Sequence, residues 1–94
     1  MTFYDAVEIE AFDAERQFVL RQVLSTYEWY EGTHPIIDSD EERARLRVAH
    51  IEVREFNDNG DLEVTSSLEY SDNGALTERH TRRKDGSTDH KTFD

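Results

Sequence analysis

Asp58-Asn59-Gly60-Asp61-Leu62 and, fourteen residues further on, Asp72-Asn73-Gly74-Ala75-Leu76 share a turn triplet followed two residues later by a leucine. Lys84-Asp85-Gly86 forms a third turn triplet twelve residues later. Gly adopts positive φ freely, and Asn and Asp tolerate it, so these triplets are typical of hairpin turns. Because the segments between them have the length of a strand, the second half of the chain is predicted to be an antiparallel meander.

The length of each hairpin loop decides which residues face each other. A three-residue loop places Phe56 opposite Leu62 and Tyr70 opposite Leu76, so both pairs are apolar. A two-residue loop would turn Leu76 to the other face of the sheet, and the apolar pattern therefore favours the three-residue loop. The last hairpin, residues 77–92, holds no aliphatic residue. We expect it to be the least stable part of the sheet, serving either as a charged edge or as an interaction surface.

The first half of the chain is predicted to form a helical cover for this sheet. Residues 13–31 contain no glycine or proline, Asp13 can cap a helix, and Gly32 and Pro35 stand where a helix would end. One broad helical face collects these apolar side chains: Phe12, Val19, Leu20, Val23, Leu24, Tyr27 and Tyr30. Residues 3–12 fit a strand, because Val7, Ile9 and Ala11 alternate, and also a helix, which the absence of a helix breaker favours.

Residues 33–43 are predicted to be an acidic connection in which Ser39 caps one short helical turn. Two strand patterns follow, at Arg45–Val48 and Ile51–Arg54, and a β-bulge at Ala49-His50 would bring their apolar residues to one face. A helix from Ser39 to Phe56 is the alternative. It scatters its apolar residues over two opposite faces and is not favoured.

These segments predict an α+β fold in a single domain, residues 1–94. One long N-terminal helix, preceded by a short helix if residues 3–12 are helical, packs on a four-stranded antiparallel β-meander. The helical part is residues 1–32, the acidic connection residues 33–43, and the meander residues 44–94. The predicted core consists of Val19, Leu20, Val23, Leu24, Tyr27, Leu46, Val48, Ile51, Val53, Phe56, Leu62, Val64, Leu68, Tyr70 and Leu76.

The charge is strongly negative and unevenly placed. The 94 residues carry a net charge of −11 from 22 acidic and 11 basic side chains. Residues 1–42 hold 11 of the acids and only Arg16 and Arg21, whereas residues 79–84 are locally basic. Such acidity repels nucleic acid and anionic membranes and attracts basic protein surfaces, and it also occurs as an adaptation to salt. With no cysteine and an acidic N-terminus lacking an apolar run, the cytoplasm is the expected compartment, or a host cell's cytoplasm for a phage-encoded protein.

Motifs of catalysis and of cofactor binding are absent from the sequence. It has no nucleophile motif, phosphate-binding loop or dinucleotide fingerprint, so we expect neither an enzyme nor a bound cofactor. A three-residue loop at Lys84–Gly86 places His80 opposite His90, with Glu78 two residues away on the same face, while a two-residue loop separates the histidines. Because zinc-type ligand spacing is absent elsewhere, the sequence predicts no metal site.

Tyr70-Ser71-Asp72-Asn73-Gly74-Ala75-Leu76, followed by Asp85-Gly86-Ser87 and Phe93-Asp94, resembles the tyrosine–aspartate repeats of large secreted shell proteins. The resemblance covers about a quarter of the chain. Such repeats occur in long arrays, and this chain has no array. The resemblance therefore implies hairpins and carries no function with it.

The function expected from size and charge is that of a small acidic binding protein. It would occupy a basic, nucleic-acid-binding surface of a partner protein, as anti-defence proteins and DNA mimics of phages do. The acidic residues expected to bind are Glu28, Glu31, Asp38, Asp40, Glu41 and Glu42, with Phe18 and Trp29 as aromatic anchors. A secondary basic patch comprises Arg79, Arg82, Arg83 and Lys84. The alternative is a structural subunit that associates with itself, as a homodimer for example, without an inhibitory role.

Overall fold

A computed structural model describes residues 2–29 and 39–93, without the side chains of residues 2, 3 and 27–29. Six strands and one short helix follow each other in these residues: β1 (Thr2–Phe12), β2 (Phe18–Trp29), α1 (Asp40–Arg45), β3 (His50–Phe56), β4 (Leu62–Tyr70), β5 (Leu76–Arg83) and β6 (Thr88–Thr92). The strands form one sheet in the order β2-β1-β3-β4-β5-β6, with every neighbouring pair antiparallel. The fold is mainly β, and the predicted α+β arrangement is wrong.

A turn and strand β2 take the place of the long helix predicted over residues 13–31, as far as Trp29; residues 30 and 31 lie outside the described residues. Residues 3–12 lie in β1, so the helix favoured there is also wrong and the alternating pattern is the correct interpretation. The turn depends on Asp13, whose Oδ1 accepts the N–H groups of Glu15 at 3.0 Å and Gln17 at 2.9 Å. Arg16 closes the turn with φ 64°. An aspartate of this kind can cap a helix or close a turn with the same hydrogen bonds, and here it closes a hairpin.

The alternation of Val7, Ile9 and Ala11 decides the place of β1. All three side chains are at most 1% exposed within the core cluster, and β1 is an inner strand, paired with β2 on one edge and with β3 on the other. An inner strand of a sheet must bury its apolar side chains on one face, and a period of two residues does this where a helical period does not.

The three hairpins of the predicted meander are confirmed. Phe56 lies opposite Leu62 and Tyr70 opposite Leu76, with Gly60 and Gly74 at φ 83° and 85°. The third hairpin joins β5 to β6 through Gly86 at φ 90°. The sheet has six strands rather than four, because β1 and β2 extend it beyond β3.

Helix α1 is the short turn predicted after Ser39. The Ser39 Oγ accepts the N–H of Glu42 at 3.1 Å. The strand predicted over Arg45–Val48 is wrong, because Arg45 ends α1 and Leu46-Arg47 forms a turn. At the expected bulge, Ala49 donates to the Phe12 carbonyl at 2.8 Å although the register places Phe12 opposite His50, so the pairing is irregular at Ala49-His50. Leu46, Val48, Ile51 and Val53 all reach the core, as the bulge was expected to allow.

Helix α1 is attached to the sheet at the turn between β4 and β5. Arg43 Nε donates to the carbonyl of Gly74 at 2.9 Å, and its guanidinium lies 4.9 Å from the centre of the Tyr70 ring. A Cβ atom on Gly74 would lie 2.2 Å from the carbonyl oxygen of Asp40. This close approach requires glycine at position 74.

The core lies on one face of the sheet. Its buried side chains are Val7, Ile9, Ala11, Val48, Ile51, Val53, Leu68 and Tyr70, with Tyr4, Val19, Leu20, Leu24, Leu46 and Leu76 packed against them. Val23 and Leu62 were predicted to be buried in the core, and this is wrong, since their side chains are 60% and 43% exposed. Phe56 and Val64 are half-buried, and the side chain of Tyr27 lies outside the described residues. Val7, Ile9 and Ala11 are core residues that the predicted core omits.

Candidate functional site

The face of the sheet opposite the core carries most of its ionisable side chains. The strand register arranges them in rows that run across the sheet. One row reads Arg21, Glu10, Glu52, Ser67, His80 and His90, and the next reads Val23, Glu8, Arg54, Thr65, Arg82 and Thr88. We call this surface the polar face.

An ion-pair network holds the β1–β3 part of the polar face together. Arg54 Nη1 donates to Glu8 at 2.9 Å and to Glu10 at 2.7 Å. Arg21 approaches the same two carboxylates at 3.8 and 4.0 Å. The side chain of Glu10 is only 12% exposed, so the two arginines compensate the desolvation of its charge.

His50 joins β3 to β4 in the same face. Its Nδ1 lies 2.5 Å from Glu69 and its Nε2 lies 2.7 Å from Glu52, and the imidazole is 10% exposed. Ser67 donates to the second oxygen of Glu52 at 3.0 Å. Glu52 and Glu69 are therefore both held by neighbouring polar side chains, an arrangement that stabilises the sheet.

At the far end of the polar face, Glu78, His80 and His90 lie together. The two imidazoles stack with ring centres 4.0 Å apart and planes 11° apart. His90 Nε2 lies 3.2 Å from a Glu78 oxygen, and one donor atom of each residue lies within 4.8 Å of the others. A groove of about 560 Å³ opens beside the histidines, with Glu52 and Ser67 among its lining residues.

Folding gathers acidic side chains from three separated segments at one end of the molecule. Asp13 and Glu15 of the β1–β2 turn and Asp72 of the β4–β5 turn line one cleft of about 380 Å³. Asp40, whose carbonyl packs against Gly74, and Glu41 begin α1 beside them. We call these five residues the acidic end. Four of them are exposed and Asp13 is half-buried.

The residues predicted to bind a partner do not form one surface in the described structure. Asp40, Glu41 and Glu42 lie in the first turn of α1, where Asp40 pairs with Arg43 at 2.5 Å and Glu42 approaches Arg45 at 3.9 Å. Glu31 and Asp38 lie outside the described residues, and of Glu28 and Trp29 only the backbone, in β2, is described.

The two predicted aromatic anchors lie at opposite ends of β2. Phe18 begins the strand and Trp29 ends it, so they are not neighbours. Phe18 stacks on Phe12 with ring centres 4.9 Å apart and remains 65% exposed. It follows the β1–β2 turn and therefore belongs to the same end of the molecule as the acidic end.

The predicted basic patch is divided between the two faces of the sheet. Arg79 and Arg83 alternate with Arg82 along β5, and only Arg82 lies in the polar face. Arg83 bonds to Asp89, and Lys84 approaches Glu63 at 3.7 Å and Asp61 at 3.9 Å. The guanidinium of Arg79 lies 6.0 Å from the centre of the Phe93 ring. Much of this positive charge is thus engaged within the chain.

Glu55 is a buried ionisable residue that the sequence did not lead us to expect in the core. It lies opposite Val7 on the core face, is 4% exposed, and has one carboxyl oxygen without a hydrogen-bond partner in the described residues. Burial raises its pKa to about 7, although a hydrogen bond with Tyr4 opposes the shift. The signal was the alternation Ile51, Val53, Glu55, which places a carboxyl at an inward position.

Tyr4 also lines an open cavity of about 850 Å³ at the end of the molecule opposite the acidic end. Its walls include Asp5 of β1, Glu63 of β4, and Arg83 and Lys84 of the β5–β6 hairpin. Strands β3 and β4 lie between β1 and β5, so the sheet must curl to bring these residues around one cavity. The cations in its wall have acidic neighbours, which leaves little excess charge to recognise a ligand.

Comparisons of the chain with protein-family models, curated proteins and solved structures found no match. Among the described residues, no helix has the length and apolar character needed to cross a membrane.

Proposed function

We propose that the chain is a non-enzymatic binding protein whose acidic end docks on a basic, nucleic-acid-binding surface of a partner protein. The observation that supports this most is the convergence of Asp13, Glu15, Asp40, Glu41 and Asp72 from three segments that are distant in sequence. A basic protein surface is attracted by carboxylates that lie close together in space. Folding brings these carboxylates together although they are far apart in the sequence.

The field of the whole molecule adds to that of the acidic end. Arg16, Arg43, Arg45 and Arg47 lie in the same turn and around the same helix, so the five carboxylates exceed these four bases by one charge, and the net charge of −11 supplies most of the attraction. Long-range attraction of this kind speeds association and weakens with salt. Phe18, exposed at the same end, offers an aromatic side chain of the kind enriched in protein interfaces.

The paired carboxylates of β1, β3 and β4 in the polar face support a non-enzymatic role. Glu8, Glu10, Glu52 and Glu69 each have a basic partner within 4.0 Å. A general base needs a carboxylate or imidazole that is free to face a substrate, and these four are occupied.

The test compares two pairs of substitutions that change the net charge equally. Glu15→Gln with Glu41→Gln alters the acidic end, and Asp5→Asn with Asp58→Asn alters exposed carboxylates of other elements. The tagged full chain and both variants are used to capture basic proteins from a bacterial lysate at roughly 50 and 200 mM salt. We expect captured nucleic-acid-binding proteins to be released by salt and by added duplex DNA, and capture to fall more for the first pair than for the second.

Capture that is independent of salt would contradict the electrostatic mechanism. Equal losses for the two pairs would show that net charge acts without a defined docking end. Light scattering on the same samples tests the alternative of self-association, which a strict monomer at high concentration would remove.

A further inference from the structure

Two histidines and a glutamate on the β5–β6 hairpin face the same volume of solvent. His80 of β5 lies directly opposite His90 of β6, and Glu78 lies on the same face of β5. Cross-strand neighbours have Cβ atoms about 4.5–5.5 Å apart, a distance that two imidazoles sharing one ion can span. The register rests on the three-residue loop, which removes the alternative of histidines on opposite faces.

The geometry points to a binding site for one divalent transition-metal ion, of the zinc or nickel type, held by Glu78, His80 and His90. Imidazole nitrogens and a carboxylate oxygen are the ligand set that these ions favour. Donor atoms bound to one zinc ion at about 2.0–2.1 Å lie roughly 3.4 Å apart in a tetrahedral site. The donors here lie within 4.8 Å of one another, so small side-chain rotations close the site.

Those rotations are open to these side chains. The side chain of His90 is 51% and that of Glu78 42% exposed, so neither is fixed by packing. The groove of about 560 Å³ beside the histidines leaves room for water to complete the coordination. The hydrogen bond between His90 and Glu78 already orients the pair toward each other.

A bound ion would stabilise the β5–β6 hairpin more than any other part of the sheet. All five residues of β6 are exposed, and neither β5 beyond Leu76 nor β6 contributes an aliphatic side chain to the core. An ion that bridges the two strands links them where side-chain burial does little. The metal is therefore predicted to order β5 and β6 selectively, and local opening of this hairpin is the process that it suppresses.

The experiment titrates the full chain with Zn²⁺ and separately with Ni²⁺, following heat release, and follows backbone amide exchange with and without Zn²⁺. We expect one ion per chain, and His80→Gln and His90→Gln each to weaken the affinity at least tenfold. Amides of β5 and β6 should exchange about 100-fold more slowly at 100 times the dissociation constant, with β1 and β3 little affected.

His34→Gln is the matched control, because it removes one imidazole from another part of the chain. It should leave the affinity unchanged. Absence of binding at millimolar metal, or an affinity insensitive to His80→Gln and His90→Gln, would overturn the proposal. So would a loss of affinity on His34→Gln equal to that on His90→Gln. Circular dichroism confirms that each variant keeps its fold, which the exposure of His80 and His90 leads us to expect.

Discussion

The buried carboxyl of Glu55 makes the stability of the fold depend on pH. Its folded-state pKa of about 7 stands above the ordinary 4.5 of a glutamate because the carboxyl is buried beside the apolar core. Between these two pH values the folded chain keeps a proton that the unfolded chain has lost. The stability that this proton contributes is present in acid and is lost as pH rises toward 7.

We expect the free energy of unfolding to carry a component from Glu55 that falls by about 3 kcal/mol between roughly pH 4.5 and 7.5. Glu55→Gln should remove this component, so that the stability of the variant falls less steeply with pH than that of the parent. Urea denaturation at several pH values measures the difference. Glu15→Gln, which alters an exposed carboxyl, should follow the parent curve, and parallel curves for the parent and Glu55→Gln would show that burial does not shift this group.

The turn at Asp13 shows why the sequence did not predict strand β2. Asp13 has the right chemistry for a helix cap, and its carboxylate does accept backbone N–H groups, but it accepts those of a hairpin turn. The turn holds no glycine, and Arg16 takes the positive φ instead. A non-glycine residue in this conformation is uncommon, so the sequence gives little warning of the turn.

At the scale of elements, burial separates two leucines of one strand. Leu68 is 1% exposed within the core, whereas Leu62, at the start of the same strand, is 43% exposed. The sequence treats both as core residues. The structure predicts that they respond differently to the same truncation, because only one of them leaves a cavity.

Leu68→Ala should lower the free energy of unfolding by about 2–5 kcal/mol, and Leu62→Ala by about 1 kcal/mol or less. The two variants carry the same chemical change and serve as controls for each other. Urea denaturation monitored by circular dichroism measures both. Equal losses would mean that the start of β4 is packed as tightly as its middle.

The meander was predictable and the first half of the chain was not, for a physical reason. Glycine-containing triplets fix hairpin registers locally, so Phe56–Leu62 and Tyr70–Leu76 follow from short-range rules. In β2 the apolar pairs at Val19-Leu20 and Val23-Leu24 also fit a helical face. Pairing with β1 settles the choice, and β1 in turn depends on β3, far along the chain.

The candidate sites differ in the same way, since one depends on a local turn and the other on contacts between distant segments. The facing histidines of the third hairpin depend on one local turn, and the sequence analysis could place them as soon as the loop length was chosen. The acidic end depends on tertiary contacts between α1 and two turns, which no local pattern encodes. The sequence could therefore name Asp40 and Glu41 as binding residues without finding Asp13, Glu15 or Asp72 beside them.

For the whole molecule, the order of strands in the sheet makes the pairing of distant segments a requirement of folding. Strand β1 precedes the other described strands in sequence, yet its second partner is β3, with Ala6 facing Phe56 and Ala11 facing Ile51. The loop between them must be closed before these pairs add stability, and closing it costs conformational entropy.

We expect the chain to refold in milliseconds to seconds, the range of all-β domains, rather than in the microseconds to milliseconds of a helical bundle. Stopped-flow dilution from urea, followed by the fluorescence of the single tryptophan, measures the rate. Circular dichroism at a β-sheet wavelength provides a second probe, and the two should give the same rate. A sub-millisecond rate would contradict a fold dominated by distant strand pairs.

The close contact between Gly74 and helix α1 limits which substitutions this turn can accept during evolution. Gly60 and Gly86 have open space around them in the described residues, so only their positive φ restricts a replacement, and asparagine is tolerated there. A single replacement at either position would therefore meet no neighbouring atom of the described residues, whereas a change of loop length would alter the strand register. Gly74 meets the backbone of α1, and any heavier residue would have to push the helix away. Three turns that look interchangeable in the sequence thus differ in their freedom to evolve, and the one that supports α1 has the least.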